Sequence, residues 1–318
     1  MKFTHLPGIS LPVSRIVLGG ASRRFLEGSD VSDLIEAALS CEINTIDTAR
    51  QYGRSEEAIG RWLGVSGNRE KVVIISKCCH PSHVFWPRIS EKAASEDLER
   101  SLEALQTDHI DIYLLHRDLE TVPVGRIVDF LNRFHSEGKI RAFGGSNWRA
   151  ARVAQANEYA AANGLVGFSV SSPQYSLGRQ RHDPWGNGCK TITGDRNAAQ
   201  RKYYIDAKIP VLAWSSLCGG LFSGKLKADE WDQLSRRFGW NTKWAYGCDD
   251  NRERLSRCES LAKKKNATTA QVALAWLLSD EMTVLPVIGA SSPDRLLENA
   301  AAADLTLTPS ERNWLALR

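Results

Sequence analysis

A chain of 318 residues, 42% hydrophobic and 25% charged, has the composition of a globular protein and room for one large barrel or two ordinary domains. Its formal charge of +4, with 41 basic and 37 acidic residues spread along the chain, argues against a nucleic-acid partner and leaves room for a site that takes a small anion. No apolar run approaches the ~20 residues of a membrane span, and the start, MKFTHLPGIS, lacks the apolar core of a signal peptide, so a cytoplasmic protein with no membrane partner is expected. The seven cysteines show no Cys-x-x-Cys spacing and are odd in number, as expected of reduced thiols. Cys78 and Cys79 with His80 and His83 hint at a metal, but adjacent cysteines at a strand end point in different directions, so no metal is expected.

In chain order, FTHLPGISLPVS reads as a hairpin with Pro-Gly at its turn. Strands follow at 15–19, 43–47, 72–77, 110–116, 139–146, 167–172, 209–215 and 283–289. Helical patterns lie at 30–41, 54–64, 89–106, 122–137, 148–163, 195–207, 251–280 and 292–303. Eight strands, each followed by a helix, predict an α/β fold, a closed (β/α)8 TIM barrel with an N-terminal hairpin, as a single domain over 1–318. Near-continuous apolar strands such as VVIIS suit a sheet buried on both faces. Two segments break the repeat. Residues 176–194 are rich in Gly and polar side chains, and 226–250 carry Trp231, Trp240 and Trp244 in a polar context. Both follow barrel strands, so both are expected as long loops on the C-terminal face. The three tryptophans are expected to bury against a surface there and cover a ligand.

The strand ends carry the chemistry. Asp47, Lys77 and His116 end three successive strands and Tyr52 lies in the loop after Asp47, so a parallel barrel brings all four to one mouth. Each alone has a bland reading, as a cap, a solvated end or a core histidine; the coincidence of four does not. A phenol with a pKa near ~10 is a poor acid. Lys77 is expected to lower it, with Asp47 holding Lys77 charged and in place. Tyr52 then donates a proton to an oxygen that His116 orients. That set suits carbonyl reduction, for which a cofactor must supply hydride. No G-x-G-x-x-G follows a strand, so a dinucleotide has to bind the barrel mouth itself.

The motifs 46-IDTARQYGRSEEAIG-60, 76-SK-77, 113-YLLHR-117, 144-GGSN-147, 172-SPQYS-176, 213-AWSSLCGGLFSGK-225 and 288-IGASSPDRLLEN-299 recur in order over nearly the whole chain, and the sequence resembles the aldo-keto reductases. The resemblance implies NADPH-dependent reduction of a small aldehyde, ketone or keto-sugar, or the reverse reaction. Asp47, Tyr52, Lys77 and His116 match that family's catalytic tetrad. Ser146, Asn147 and Gln174 match the residues that hold the nicotinamide carboxamide. Trp214 matches the position that stacks on the nicotinamide, in a version similar to the potassium-channel beta subunits. Ser215, Leu217, Gly219 and Lys225 fall where the family contacts the pyrophosphate. Gly289, Ser291, Arg295, Glu298 and Asn299 fall at the adenosine end. Arg295 is expected to pair with the 2′-phosphate of NADPH. Some members carry Lys at the position of Gly289, so NADPH preference with some use of NADH is expected. Arg236 or Arg237 is expected to add a phosphate contact. Arg50 and Gln51, where the family often has an acidic or polar residue and then an aromatic or hydrophobic one, predict a more polar and cationic pocket wall. Trp86, with Tyr52 and His116, is expected to meet substrate.

Two other readings stand beside the reductase. One is a cofactor-sensing regulatory or binding protein with a reductase-like fold, which an intact tetrad disfavours. The other is a metal-dependent barrel hydrolase, for which the strand ends lack His-x-His and a carboxylate cluster. No residue pattern bears on the oligomeric state.

Overall fold

The structure, a computed structural model, describes residues 1–81, 88–186 and 188–318. A short antiparallel hairpin, β1 (Phe3–Thr4) and β2 (Val13–Ser14), comes first. Eight parallel strands then close into a barrel: β3 (Val17–Gly19), β4 (Thr45–Asp47), β5 (Val73–Cys78), β6 (Ile110–Leu115), β7 (Ile140–Ser146), β8 (Val170–Ser172), β9 (Val211–Ala213) and β10 (Val284–Ile288). Their order round the barrel is their order in the chain, and β10 closes on β3. All eight predicted strands are present, so the (β/α)8 TIM barrel read from the sequence is the fold.

The helices are α1 (Arg23–Leu26), α2 (Ser32–Ser40), α3 (Ser55–Ser66), α4 (Glu91–Leu105), α5 (Val124–Ser136), α6 (Ala150–Ala162), α7 (Ala198–Asp206), α8 (Leu234–Tyr246), α9 (Asp249–Lys264), α10 (Thr269–Leu278), α11 (Pro293–Ala300) and α12 (Pro309–Leu315). The single helix expected over 251–280 is two. Asn266 turns left-handed (φ 49°), and Thr268 caps α10 by accepting from Gln271 N while Gln271 Oε1 accepts from Thr268 N, a capping box that starts a new helix. Residues 226–250 are not an open loop. A 3-10 turn at Ala228–Gln233 leads into α8, which bends at Gly239 (φ 83°). Helix α12, with Thr308 as cap and Pro309 at its first position, has no counterpart among the predicted elements.

Strand alternation sorts the core into two bodies. Val73, Ile75, Ile112, Leu114, Ala142, Val170, Leu212 and Leu285 pack on one another inside the barrel. Their neighbours Ile46, Ile74, Leu115 and Phe143 pack outward with helix residues such as Leu98, Phe130 and Leu131. Leu6, Ile9 and Val13 of the hairpin join the inner cluster and plug the barrel where its strands begin. The opposite end, where the strands finish, is left for a site.

Close packing at one glycine generates a test. A Cβ on Gly60 of α3 would lie 2.0 Å from the carbonyl oxygen of Ala104 at the end of α4, whereas one on Gly64 would meet only the tip of the Gln106 side chain, at 2.4 Å. Gly60→Ala should therefore destabilise the protein by about 1–3 kcal/mol despite alanine's better helix propensity, and Gly64→Ala should stay within about 0.5 kcal/mol of wild type or stabilise it. Urea unfolding of both variants checks this; equal midpoints would show that α3 does not press on α4 as described.

Candidate active site

The inward alternation of the strands continues into polar residues at the mouth. Thr45 is followed by Asp47, Val73 and Ile75 by Lys77, Ile112 and Leu114 by His116, Ala142 and Gly144 by Ser146, and Leu212 by Trp214. Neighbouring strands are in register here, with Asp47 opposite Ile75 and Lys77 opposite Leu114. The turn after β4 then folds back, with Tyr52 N donating to Ala49 O at 2.9 Å, and brings the phenol over Lys77.

Four predicted residues meet. Lys77 Nζ donates to Asp47 Oδ1 at 2.6 Å and to the Thr48 carbonyl at 2.8 Å, and makes a long contact of 3.4 Å with the Tyr52 hydroxyl. The ammonium also lies 4.7 Å from the Tyr52 ring centroid. The rings of Tyr52 and His116 meet edge to face, centroids 5.6 Å apart. His80 packs on His116 with ring centroids 4.7 Å apart, and its Nδ1 donates to the Pro81 carbonyl at 2.9 Å.

Asp47, Lys77 and His116 are buried, and burial governs their protonation. Burial alone works against the Lys77 ammonium, but Asp47 and Tyr52 outweigh it and hold the lysine charged. Burial pushes the Asp47 carboxyl up while Lys77 opposes it; the 2.6 Å contact is that of an ion pair. The Tyr52 phenol differs from expectation. Burial raises it above its ordinary value, and the lowering by Lys77 does not compensate. Burial also drives His116 well below the usual imidazole value, helped by the charges of Lys77 and Arg117, so the ring is neutral.

These residues stand in the wall of one cavity of about 940 Å³. Of the other predicted positions, Ser146, Asn147, Trp214, Ser215, Leu217, Gly219, Lys225, Gly289, Ser291, Arg295 and Asn299 also line it. Gln174 and Glu298 are not part of the lining. Gln174 is fully buried, accepting from Thr191 Oγ1 at 2.6 Å and donating to Ser176 Oγ at 2.7 Å. Glu298 receives Arg295 Nη1 on both carboxylate oxygens at 3.1 Å. Asn147, itself left-handed (φ 63°), donates to the His116 carbonyl and accepts from Lys190 N, tying the 176–194 segment to the barrel mouth. Trp86 lies outside the described residues, as does His83.

The two long segments behave differently from expectation. Trp240 and Trp244 stay exposed, at 67% and 45%, and Trp244 stacks on His182 at 4.9 Å. Trp231 packs on the outer core. None of the three lines the cavity; Phe238 of the same segment does, with Trp185 and Cys189 of the other. Arg237 pairs with Glu230, and neither it nor Arg236 reaches the lining. Arg50 pairs with the buried Glu56 at 2.5 Å, so the cation it was to bring to the pocket wall is neutralised while Gln51 does line the cavity. The lining also holds Ser22, Arg23 and Arg24 just after β3 and Arg117 beside His116, to which the sequence reading gave no role, and His80, weighed there only as a metal ligand. Their position after barrel strands was the available signal.

The cavity suits a polar, anionic ligand with a planar group. Ser22 Oγ, His116 Nδ1, Trp214 Nε1 and Ser223 Oγ, all on lining residues, are buried with no hydrogen-bond partner among the described residues. Lys225 and Arg295 bring positive charge to the same wall, with the N-terminus of α11 beside Arg295. A Cβ on Gly289 would meet nothing within 4 Å, so space for a longer side chain exists there.

The family model described as the Aldo/keto reductase family matches residues 15–315, and the chain belongs to that family. It is 28% identical to an uncharacterised oxidoreductase of Bacillus subtilis (96% of this chain, 92% of the relative) and 28% identical to a putative voltage-gated potassium channel subunit beta of Schizosaccharomyces pombe (97% and 90%). It is 27% identical to a versiconal hemiacetal acetate reductase of Aspergillus parasiticus (99% and 96%). The protein is thus an oxidoreductase of a family that reduces carbonyls. Among the described residues no helix is long and apolar enough to cross a membrane.

The buried pair carries its own prediction. Lys77→Met leaves Asp47 buried without its cation and should cost about 3–5 kcal/mol, while adding Asp47→Asn should restore a large part of that loss. Urea unfolding of the single and double variants measures it; an additive double variant would mean the two side chains do not act as a pair.

Proposed function

We propose that this protein is an NADPH-preferring aldo-keto reductase that converts an aldehyde, ketone or keto-sugar to the alcohol, with Tyr52 as proton donor. The observation that carries the reading is the contact chain Asp47–Lys77–Tyr52 beside a neutral His116 in the wall of one large cavity. In this reading Ser146, Asn147 and Trp214 hold the nicotinamide, Ser215, Leu217, Gly219 and Lys225 the pyrophosphate, and Ser291, Arg295 and Asn299 the adenosine phosphate end. Gln174 and Glu298 join only by giving up their present partners. When bound, the nicotinamide supplies a hydride to the carbonyl carbon.

The chain's own residues manage the oxygen. Neutral His116 donates a hydrogen bond that orients the carbonyl and favours charge growing on its oxygen. Tyr52, kept protonated by its buried setting, passes its proton to that oxygen. The phenolate left behind is stabilised by the Lys77 ammonium, which Asp47 holds in place. Lys77 therefore acts after the proton has moved more than before it. A second reading, a cofactor-sensing regulatory protein, draws on the similarity to the fission-yeast channel subunit; turnover separates the two.

The test is a titration with NADPH and NADH read by tryptophan fluorescence, followed by a carbonyl panel. Wild type should bind NADPH and turn over a panel member, and Tyr52→Phe should bind NADPH nearly as well but lose at least ~10²-fold in turnover. Binding without turnover by wild type would favour the sensing reading, and a fully active Tyr52→Phe would remove the phenol from its role. The pH profile follows from the directions above. Tyr52 is raised, so it remains a donor until pH exceeds its ordinary ~10; His116 is depressed, so it stays neutral above its ordinary ~6.5. The rate of reduction, as kcat/KM, should be flat from about pH 6.5 to about pH 9; a titration step between ~7 and ~8 assigned to either residue would contradict the assignment.

A further inference from the structure

His80 stands in the wall of the cavity beside His116, and the proton chemistry above gives it no role. Its ring packs edge to face on that of His116, with the planes at 71°. Its Nδ1 lies 2.9 Å from the Pro81 carbonyl oxygen. A carbonyl only accepts, so the proton of that bond sits on Nδ1. Burial, followed by the charges of Arg117 and Arg88, holds the imidazole below its usual value, so near pH 7 the ring is neutral and carries that one proton. Nε2 is therefore a lone pair that accepts and cannot donate. It has no hydrogen-bond partner among the described residues, on a half-buried ring that borders the open cavity.

The surroundings narrow what Nε2 can accept from. Arg117, whose Nη1 donates to the His116 carbonyl at 2.8 Å, brings a positive charge to both imidazoles, and Lys77 adds its own at His116. An ammonium donor is disfavoured among these charges. A carboxylate has no proton to give. A neutral hydroxyl or N–H is left. Gln51 lines the same wall next to Tyr52, and its amide both donates and accepts. A hydroxyl suits a wall of that kind, because it donates through its hydrogen and accepts through its oxygen, whereas an N–H only donates. The ring centroids of His80 and His116 are 4.7 Å apart, so a group that meets His80 lies within a few bonds of a carbonyl oxygen held by His116.

We infer that His80 is a specificity-determining residue whose Nε2 accepts a hydrogen bond from the substrate, and that the preferred substrate is a hydroxycarbonyl compound with its hydroxyl on the carbon next to the reacting one. His80 neither gives nor takes a proton in the reaction; it selects the molecule that enters. The inference rests on the reductase reading for the carbonyl chemistry, but recognition of the hydroxyl does not depend on turnover.

The experiment compares glycolaldehyde with propanal, hydroxyacetone with butanone, and α-hydroxyacetophenone with propiophenone, with NADPH as reductant. In each pair a methyl group takes the place of the hydroxyl. His80→Phe keeps a ring to pack on His116 but has no acceptor. It should lower the hydroxyl-to-methyl ratio of kcat/KM about three- to tenfold for at least one pair, the value of one neutral hydrogen bond, through the KM of the hydroxyl compound. His80→Gln, whose side-chain oxygen accepts, should recover part of the ratio. Intrinsic differences in carbonyl reactivity cancel when the ratios of wild type and variant are compared. A ratio unchanged in His80→Phe, or both members of every pair falling together, would overturn the inference. A second readout needs neither turnover nor a variant. Mandelamide should bind the wild-type NADPH complex about three- to tenfold tighter than α-methylphenylacetamide, by tryptophan fluorescence. If no carbonyl is reduced but mandelamide is still preferred, the reductase reading fails and the role of His80 stands. If the carbonyls are reduced but the two amides bind alike, the inference fails and the reductase reading stands.

Discussion

Closing eight parallel strands into a barrel forces every second side chain inward, and the remainder of the molecule follows from that constraint. Along most of each strand the inward positions are Val, Ile, Leu and Ala, which fill the interior and need no partners. At the last inward position the same alternation delivers Asp47, Lys77, His116, Ser146 and Trp214 to a common mouth. The hairpin packs Leu6, Ile9 and Val13 on the inner cluster at the far end, away from the mouth where these groups gather. Register between neighbours, Asp47 beside Ile75 and Lys77 beside Leu114, sets the heights at which these groups meet. A slip of one residue in any strand would send its functional side chain outward among the helices.

Burial at that mouth is what makes the group chemistry useful. In water a lysine, an aspartate and a phenol would ionise independently. Here desolvation raises the phenol and neutralises the imidazoles, while Asp47, in contact with Lys77, and Tyr52 outweigh desolvation and keep the lysine charged. The Tyr52 phenol and the His116 imidazole are therefore neutral, with the Lys77 ammonium 3.4 Å from the phenol oxygen. The same low-dielectric setting gives Arg117 its reach across Tyr52, His116, His80 and Cys189.

The fold was legible because its signals are local and repeated. Eight apolar β-branched runs separated by helical patterns admit few architectures. Boundaries were less legible where a local signal competed with a longer pattern: the Thr268–Gln271 capping box interrupts an amphipathic run that reads as one helix over 251–280. The excursion at 226–250 failed in a different way. Its tryptophans suggested burial, but Trp244 finds His182 as a partner at the surface and Phe238 takes the inward place. Which aromatic side chain of a helix faces a cavity depends on how that helix docks, and its composition does not say.

By itself the sequence determined the barrel, the strand-end positions of Asp47, Lys77 and His116, and membership in a family of oxidoreductases, because strand period and motif order are properties of the chain read in one dimension. Only the tertiary structure decided the electrostatics. The net rise of the Tyr52 phenol, the neutralisation of Arg50 by Glu56, the pairing of Arg295 with Glu298 and the anchoring of Arg117 beside the tetrad each depend on which groups are brought together and how much water is removed from them. Distance and desolvation in three dimensions set those balances, and neither is written in the order of the residues.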